Sequence, residues 1–320
     1  MVARPSEFVL ISRLFAPLAT VPGAFGLTDD VALLQHPDAC DLVVTTDTLV
    51  EGVHFLSGDP ADFIARKALR QNLSDLAAKG AEPLGYLLAL SLPSAVTMDW
   101  LELFAGGLAQ DQCEFCVPLL GGDTTGTPGP LTVCITAVGS VPRGVLIRRA
   151  GAQAGDLVYV SGTIGDAGAG LAILKREAER VDDFLVNRYR LPNPRISLGK
   201  ALRGIATASL DVSDGLIADL GHIASSSGVR LIVYADAIPL SRALQELWGR
   251  SEGVVVRAAT SGDDFEIAFT APPEADMAAV ASTSGISITR IGQVISGQGV
   301  LVHRRDRTEI PITSPGFTHF

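Results

Sequence analysis

The chain has 320 residues, of which 47% are hydrophobic and 19% charged, so a disordered chain is excluded and one large or two ordinary domains are expected. The 33 glycines and the low aromatic content of 6% favour an α/β protein with many tight turns. The formal net charge of −10 argues against a nucleic-acid or membrane partner, and it would repel a phosphate substrate unless metal ions reversed the local charge.

The N-terminal segment predicts a helix over 6–16, because its apolar residues recur at helical spacing. Glu7 and Arg13 interrupt any apolar region of a signal peptide. No apolar run in the chain approaches the ~18 residues that span a bilayer. We therefore expect a cytoplasmic protein that has no membrane partner.

The first half of the chain alternates between strand and helix patterns. Apolar and β-branched runs predict strands, and longer periodic segments predict helices at 60–79 and 97–114. Gly80 is a suitable residue to end the first of these helices. The segment from Gly121 to Gly126 is predicted to be a turn between two strands. The predicted strands are 40–49, 84–92, 117–120 and 131–141.

A polar, basic and Gly-containing segment over 143–156 predicts a domain boundary, which divides the chain into residues 1–142 and 143–320. In the second half, a strand at 157–161 leads into a Gly-rich turn and a helix that ends near 179. Strands and helices mix in both halves, so the fold class is α/β or α+β with two domains. The remaining elements are helices at 196–206, 215–227, 240–248 and 274–283, and strands at 230–235, 265–270 and 299–303.

Six short acidic motifs carry the chemical signal. In each of them an Asp lies beside Gly, Ser or Thr near a predicted strand end, turn or helix. Carboxylate and hydroxyl oxygens suit Mg²⁺, a hard cation that is usually held by one or two carboxylates together with substrate phosphates. The motifs are Thr28-Asp29-Asp30, Thr45-Thr46-Asp47-Thr48, Asn72-Leu73-Ser74-Asp75, Gly121-Gly122-Asp123-Thr124-Thr125, Asp211-Val212-Ser213-Asp214-Gly215 and Ser261-Gly262-Asp263-Asp264-Phe265-Glu266.

Each motif also has a plain structural interpretation, because Asp beside Gly forms turns and Asp or Ser before a helix caps it. Six motifs in one chain favour function, as do Asp75 inside a predicted helix and Asp47 at the end of an apolar strand. His54 is either a functional residue or a hydrogen-bonded structural one. Cys113 and Cys116 are either ordinary thiols or a redox or metal-binding pair.

The familiar nucleotide-binding motifs are absent from the sequence. There is no P-loop and no protein kinase signature, and the absence of Gly-x-Ser-x-Gly argues against a serine hydrolase. The Gly-rich turn from Gly162 to Gly170 does not have the dinucleotide-binding spacing, and it is interpreted as a strand-to-helix connection.

Taken in order, the acidic motifs and the segments between them resemble the thiamine-monophosphate kinase family, within the superfamily of aminoimidazole ribonucleotide synthetase. The resemblance covers nearly the whole chain. It includes the Lys67-Ala68-Leu69-Arg70-Gln71-Asn72 segment that leads to Asp75, and Arg149-Ala150-Gly151-Ala152-Gln153-Ala154-Gly155-Asp156. Its most specific segments are Val50-Glu51-Gly52-Val53-His54-Phe55 and the aromatic C-terminus, Gly316-Phe317-Thr318-His319-Phe320.

The resemblance implies ATP-dependent phosphorylation of thiamine monophosphate to thiamine diphosphate, with ATP as co-substrate and several Mg²⁺ ions per site. It implies four catalytic residues, namely Asp47, Asp75, Asp123 and Asp214. The implied metal ligands are Asp30, Thr45, Thr46, Asp47, Asp75, Asp123, Asp211 and Asp214. The implied ATP-binding residues are Gly122, Asp123, Arg149 and Ser213. The implied substrate-binding residues are His54, Asp263 and Phe317.

The resemblance further implies an N-terminal domain, 1–142, that binds ATP and magnesium and whose mixed sheet pairs with that of a second subunit in a homodimer. The C-terminal domain, 143–320, would be α/β. A phosphate oxygen of the acceptor is already anionic, so direct in-line transfer needs no strong base and no covalent intermediate. The chain departs from the family pattern Gly-Glu-Asp-Tyr-Glu at 262–266, where Asp263 is shorter than Glu and Phe265 lacks a hydroxyl.

Two alternatives stand beside this function. One is another ATP-using enzyme of the superfamily, of the aminoimidazole ribonucleotide synthetase, selenophosphate synthetase or hydrogenase-maturation type. The first cysteine is Cys40 and the chain ends in Phe320, which argues against the last two. The other is a nucleotide-binding dimer without catalytic activity, although all the expected carboxylates are present.

Overall fold

The computed structural model describes residues 7–28, 32–34, 38–178 and 180–318. The chain divides into two units, the first from Met1–Leu76 and Ala81–Gly144 and the second from Ala77–Gly80 and Val145–Phe320. Within the described ranges, no helix is both long enough and apolar enough to cross a membrane.

The first unit is built around a four-stranded sheet. Its elements are α1 (Glu7–Leu10), β1 (Cys40–Val50), α2 (Ala61–Ala78), β2 (Glu82–Leu92), α3 (Met98–Phe115), β3 (Leu119–Gly126) and β4 (Thr132–Pro142). After α1 the chain continues through a π-helical turn, Ile11–Phe15, and two 3₁₀ segments. The strand order is β1-β4-β2-β3, in which β2 and β3 are parallel and the other pairs antiparallel.

The sheet of the first unit has two unlike faces. Along β4, Val133, Ile135 and Ala137 are buried, whereas Cys134 and Thr136 on the opposite side are half-exposed. We call these sides the inner face and the outer face. Helix α2 lies against the inner face, because a Cβ added to Gly139 would lie 3.2 Å from the Leu76 side chain.

Helices α2 and α3 are joined by buried ion pairs. The Nε atoms of Arg66 and Arg70 each donate to a different oxygen of Asp111, both at 2.7 Å. A buried carboxylate is tolerated when it is fully paired in this way. Helix α3 begins at a Thr97 cap, whose side chain accepts from the Trp100 N–H at 3.2 Å, and it ends at Cys116 in the left-handed conformation.

The second unit is built around a seven-stranded mixed sheet. The strand order is β11-β10-β7-β9-β5-β8-β6, in which only β10 and β7 are parallel. The elements are β5 (Leu157–Ser161), α4 (Asp166–Leu174), α5 (Asp183–Arg190), α6 (Ile196–Ala201), β6 (Ala208–Asp211), α7 (Leu216–Ser227), β7 (Arg230–Tyr234), α8 (Arg242–Trp248), α9 (Glu252–Ala259), β8 (Ile267–Ala271), α10 (Met277–Ser284), β9 (Ile288–Ile295), β10 (Gly299–His303) and β11 (Glu309–Ile310).

Apolar clusters cover both faces of the second sheet. On one face, Leu216 and Leu220 of α7 pack with Val160 of β5. On the other, Leu198 of α6 packs with Phe269 of β8. Sheet edges and strand ends in such layered units are where polar side chains can collect.

Two predictions about glycine-rich segments are wrong. Gly121–Gly126, expected as a turn, belongs to β3, because parallel pairing with β2 satisfies its backbone groups. In the Gly162–Gly170 turn, helix α4 already begins at Asp166, and it ends at Leu174 rather than near 179. The sequence pattern did not predict five elements of the second unit, α5, α9, β6, β9 and β11. The strand at 40–49 and the helix at 60–79 are confirmed.

Candidate active site

One polar cluster lies where β1 meets α2. Thr45 and Asp47 are two residues apart in the strand and so face the same side, and Thr45 Oγ1 donates to Asp75 Oδ2 at 2.5 Å. Burial, and secondly the charge of Asp75, raise the pKa of Asp47 to about 6. A hard divalent cation would offset the repulsion between these carboxylates, and their oxygens are the ligands that Mg²⁺ prefers, so the cluster fits magnesium. Asp47 lies within β1 and not at its end, since the strand continues to Val50.

Thr46 and Asp123 lie on the outer face of the same sheet. Thr46 Oγ1 lies 3.0 Å from Thr136 Oγ1 and donates to the Ile135 carbonyl at 3.1 Å. Asp123 is paired through β2 with the Cys134 position of β4, and it is exposed. Two strands separate β1 from β3, a span of ~14 Å. One chain therefore does not bring Asp123 to the Asp47–Asp75 pair.

An open cavity of about 630 Å³ lies on the outer face, between the sheet and the N-terminal helical segment. Ile11 and Phe15 supply apolar surface from that segment. Gly122 and Asp123 of β3 line the other side. The cavity thus combines apolar walls with a carboxylate and a glycine whose backbone is approachable, as a nucleotide site requires.

His54 lies in the turn that follows β1. Its Nδ1 accepts the N–H of Val50 at 3.0 Å, and its carbonyl accepts from Lys67 Nζ at 3.0 Å. The first bond holds the ring and the second holds the backbone, as expected for a hydrogen-bonded structural His. The role of His54 in substrate binding stays a prediction. The candidate metal ligand Asp30 lies outside the described residues.

A second polar cluster forms in the second unit, at the end of β6. Asp211 is the buried last residue of the strand, and Ser213 and Asp214 follow it before α7 begins. The Asp263 N–H donates to the Ser213 carbonyl at 2.8 Å, and the Phe317 N–H donates to the Asp214 carbonyl at 2.9 Å. Five residues that the sequence singled out are therefore collected around one loop.

Asp214 has two further polar neighbours on α7. Ligand atoms of Asp214, Asp219 and His222 lie within 4.8 Å of one another, which is a spacing that one cation could occupy. Burial, and then the charge of Asp214, raise the pKa of Asp219 to about 7, whereas three backbone N–H donors lower it. Neither Asp219 nor His222 was singled out from the sequence.

Arg149 lies in the segment that runs beside β6. The Ser209 N–H donates to the Arg148 carbonyl at 2.9 Å, and Ser227 Oγ donates to the Arg149 carbonyl at 3.4 Å. The Arg149 side chain is exposed, as a phosphate-binding guanidinium would be before its ligand arrives.

The motif at 261–266 contains two buried carboxylates that hold the segment in place and one half-buried carboxylate. Glu266 is fully buried and accepts from Arg188 Nη2 at 2.8 Å and Arg195 Nε at 2.7 Å. Asp264 is also buried, and its oxygens accept the N–H groups of Gly165 at 2.6 Å and Ala167 at 3.2 Å. Both side chains hold the segment, whereas Asp263 is half-buried with a φ of 69°.

The two exposed cysteines are free thiols at the end of α3. Among the residues that the structure describes, neither belongs to a group of three or more potential metal ligands. The alternative of a metal site at Cys113 and Cys116 therefore has no support from the arrangement around them.

Two protein-family models match the chain, one in each half. The AIR synthase related protein N-terminal domain matches residues 28–141, and the corresponding C-terminal domain matches residues 153–304. Both halves of the chain are thus AIR synthase related α/β domains, each with a mixed sheet.

Comparison with single proteins narrows the class. A thiamine-monophosphate kinase from Caulobacter vibrioides is 44% identical over 97% of this chain and 90% of the relative. The structure of the enzyme from Stenotrophomonas maltophilia K279a has a TM-score of 0.83 and 44% identity, and covers 93% of this chain and 96% of that one. A structure of AaThiL complexed with AMPPCP and TMP has a TM-score of 0.79 and 31% identity, and the match covers 98% of this chain and 94% of that one. The chain belongs to the thiamine-monophosphate kinase family.

Proposed function

We propose that this protein phosphorylates thiamine monophosphate to thiamine diphosphate with ATP as the phosphate donor. The observation that carries the proposal is the 44% identity to a thiamine-monophosphate kinase over 97% of the chain. The related structure that holds AMPPCP and TMP supports the two substrates. The carboxylate clusters of both units supply oxygen ligands of the kind that phosphate chemistry with Mg²⁺ uses.

Magnesium, when bound, would screen the charge between the two phosphate substrates and lower the barrier to in-line transfer. We assign its ligands to Asp47 and Asp75, with Thr45 beside them, in the first unit, and to Asp214 and Asp211 in the second unit. Asp30, Thr46 and Asp123 complete the set that we propose. The acceptor oxygen is anionic at neutral pH, so the protein needs no general base and its residues bind, orient and exclude water.

The remaining residues are assigned to the two substrates. ATP binding is assigned to Gly122 and Asp123, which line the outer-face cavity, and to Arg149 and Ser213. Asp263 and Phe317 would contact the thiamine substrate, since both are anchored to the loop that carries Asp214. His54 is assigned to the binding of the same substrate.

We infer that the protein is a homodimer joined through the outer face of the first sheet. Leu42 and Val44 of β1 lie on that face with exposed fractions of 46% and 62%, and neighbouring exposed apolar side chains of this kind mark protein contact sites. Asp123 lies on the same face and ~14 Å from the β1 edge. Because β1 is an edge strand, a second copy at that edge would bring its own Asp123 beside the Asp47–Asp75 cluster, which one chain does not do by itself.

The proposed function is tested by measuring ADP release with purified full-length protein, ATP and Mg²⁺. Thiamine monophosphate should sustain turnover, whereas free thiamine and a ribonucleotide precursor of aminoimidazole ribonucleotide should not. Turnover with the ribonucleotide alone would favour the synthetase alternative. Binding of ATP without turnover on any acceptor would favour the dimer without catalytic activity.

A further inference from the structure

The loop between β6 and α7, Ser213–Gly215, is held from its N–H side by one carboxylate oxygen. Asp219 Oδ2 accepts the N–H groups of Ser213 and Asp214 at 3.0 Å each and that of Gly215 at 3.1 Å. The Asp219 side chain is only 3% exposed, so water does not compete for these bonds. Three consecutive backbone donors on one oxygen fix the course of the loop.

The carbonyl side of the same loop holds two other segments. Ser213 O accepts the Asp263 N–H at 2.8 Å, and Asp214 O accepts the Phe317 N–H at 2.9 Å. Both contacts are close, because a Cβ added to Gly262 would lie 2.5 Å from Ser213 O and one added to Gly316 would lie 2.3 Å from Asp214 O. A shift of the loop would therefore move the 263 and 317 segments with it.

Two simpler roles explain less of this arrangement. As a helix cap, Asp219 would need to satisfy only the first N–H groups of α7, yet two of its bonds go to residues before the Gly215 cap position. A metal ligand would need only one free oxygen, such as Oδ1, and that role gives no reason for the three N–H bonds that converge on Oδ2. The bonding pattern instead suits a group that positions others.

We propose that Asp219 is a positioning residue, which holds Ser213, Asp214, Asp263 and Phe317 in one relative geometry for the reaction. This inference rests on the proposed function, because it presumes that those four residues meet ATP, metal and substrate. Asp219 itself touches none of the reacting atoms and acts through the loop.

The test compares Asp219→Ala, Asp219→Asn and Asp276→Ala with the wild type. Asp219→Ala should lower kcat/KM by about 10²-fold, because small displacements of reacting groups have effects of that size. Asp219→Asn should recover most of that loss, since one amide oxygen can take the place of Oδ2. Asp276→Ala removes the cap of α10, where Asp276 accepts the Ala279 N–H at 3.0 Å, and should lower stability without changing kcat or KM.

A second readout does not depend on activity. Hydrogen exchange followed by mass spectrometry should show faster exchange in Asp219→Ala at 213–215 and also in the peptides that contain Asp263 and Phe317. Unchanged exchange at 263 and 317, or a loss of stability alone as in Asp276→Ala, would overturn the positioning role. If wild-type protein failed to use thiamine monophosphate, the proposed function would fall, while the exchange data would still decide the role of Asp219.

Discussion

At the residue scale, strand alternation decides which oxygens can act on one ion. Thr45 and Asp47 face Asp75, whereas the Thr46 side chain between them faces β4 on the outer side. Side chains two apart on a strand share a face, so a run of three polar residues cannot all point at one site. Thr46 can still contribute its backbone oxygen, which side-chain direction does not constrain.

Replacing Asp75 with Asn should reduce kcat by about 10²–10³-fold, since a metal-holding carboxylate supplies several kcal/mol to phosphoryl transfer. Stability without Mg²⁺ should not fall, because Asp75 raises the pKa of Asp47 and its removal relieves that repulsion. Thermal unfolding should show that Mg²⁺ raises the Tm of the wild type but less that of the variant. Asp99→Asn, an exposed change at the start of α3, is the control; near-normal turnover in Asp75→Asn would refute the metal assignment.

Asp264 should make the stability of the protein depend on pH. Burial raises its pKa to about 8, although Arg188 and the N–H of Gly165 lower it and Asp166 raises it further. The folded protein then keeps a proton that the unfolded chain releases above pH ~4, so the free energy of unfolding should fall as pH rises towards 8, by at most ~1.4 kcal/mol per pH unit.

Asp264→Asn removes that proton exchange and should flatten the dependence of Tm on pH between 5 and 8. Asp236→Asn changes an exposed carboxylate in the same unit and should leave the wild-type slope in place. An identical slope in Asp264→Asn and wild type would show that Asp264 is ionised in the folded protein.

At the scale of the element, β3 depends on a glycine at one position. Gly122 pairs with Leu88 of β2, and a Cβ there would lie 1.9 Å from the Leu88 carbonyl oxygen. Gly122→Ala should therefore destabilise the protein by about 1–3 kcal/mol, as overpacking does. Gly126→Ala, at the open end of the same strand, has no atom within 4 Å and should have little effect. Urea denaturation of both variants measures this difference in stability. Equal unfolding midpoints for the two variants would contradict the expected clash.

The same strand shows where sequence reasoning succeeds and fails. Strand β1 and helix α2 were predicted because their periodic patterns are long and local. The Gly121–Gly126 segment reads as a turn because glycines dominate it, and only pairing with β2 makes it a strand. Partner strands are not visible in a local pattern, which also explains the omission of β6 and β9.

The candidate site divides in the same way. Short motifs that combine Asp with Gly, Ser or Thr are visible in the sequence, and so Asp47, Asp75, Asp211 and Asp214 were singled out. Asp219 and Arg195 lie in ordinary helical or loop sequence. Their roles come from contacts, since Asp219 accepts backbone N–H groups of the preceding loop and Arg195 donates to the distant Glu266. Pattern alone does not reveal such contacts.

At the scale of the whole molecule, the net charge of −10 is consistent with a protein whose substrates are anions bound together with cations. The carboxylates are not spread evenly, because they collect at the Asp47–Asp75 pair and around the Ser213–Gly215 loop. Metal ions at these places would turn local repulsion of phosphate into attraction. Asp123 lies ~14 Å along the sheet from β1 of its own chain, so the partner chain of the proposed homodimer is expected to supply the Asp123 that acts with Asp47 and Asp75.

Mixing two inactive variants should show whether Asp123 of one chain acts with Asp47 and Asp75 of the other. If Asp47 and Asp75 of one chain act with Asp123 of its partner, a mixed dimer of Asp47→Ala and Asp123→Ala has one intact site and one site with both changes. Random exchange of subunits should then restore about a quarter of wild-type activity, as the two-fold symmetry of a homodimer dictates. Mixing Asp47→Ala with Asp75→Ala should restore nothing, because each site keeps a change in its own β1–α2 cluster. Light scattering must show dimers in both mixtures, and dimers without restored activity in the first mixture would mean that the second copy does not complete the site.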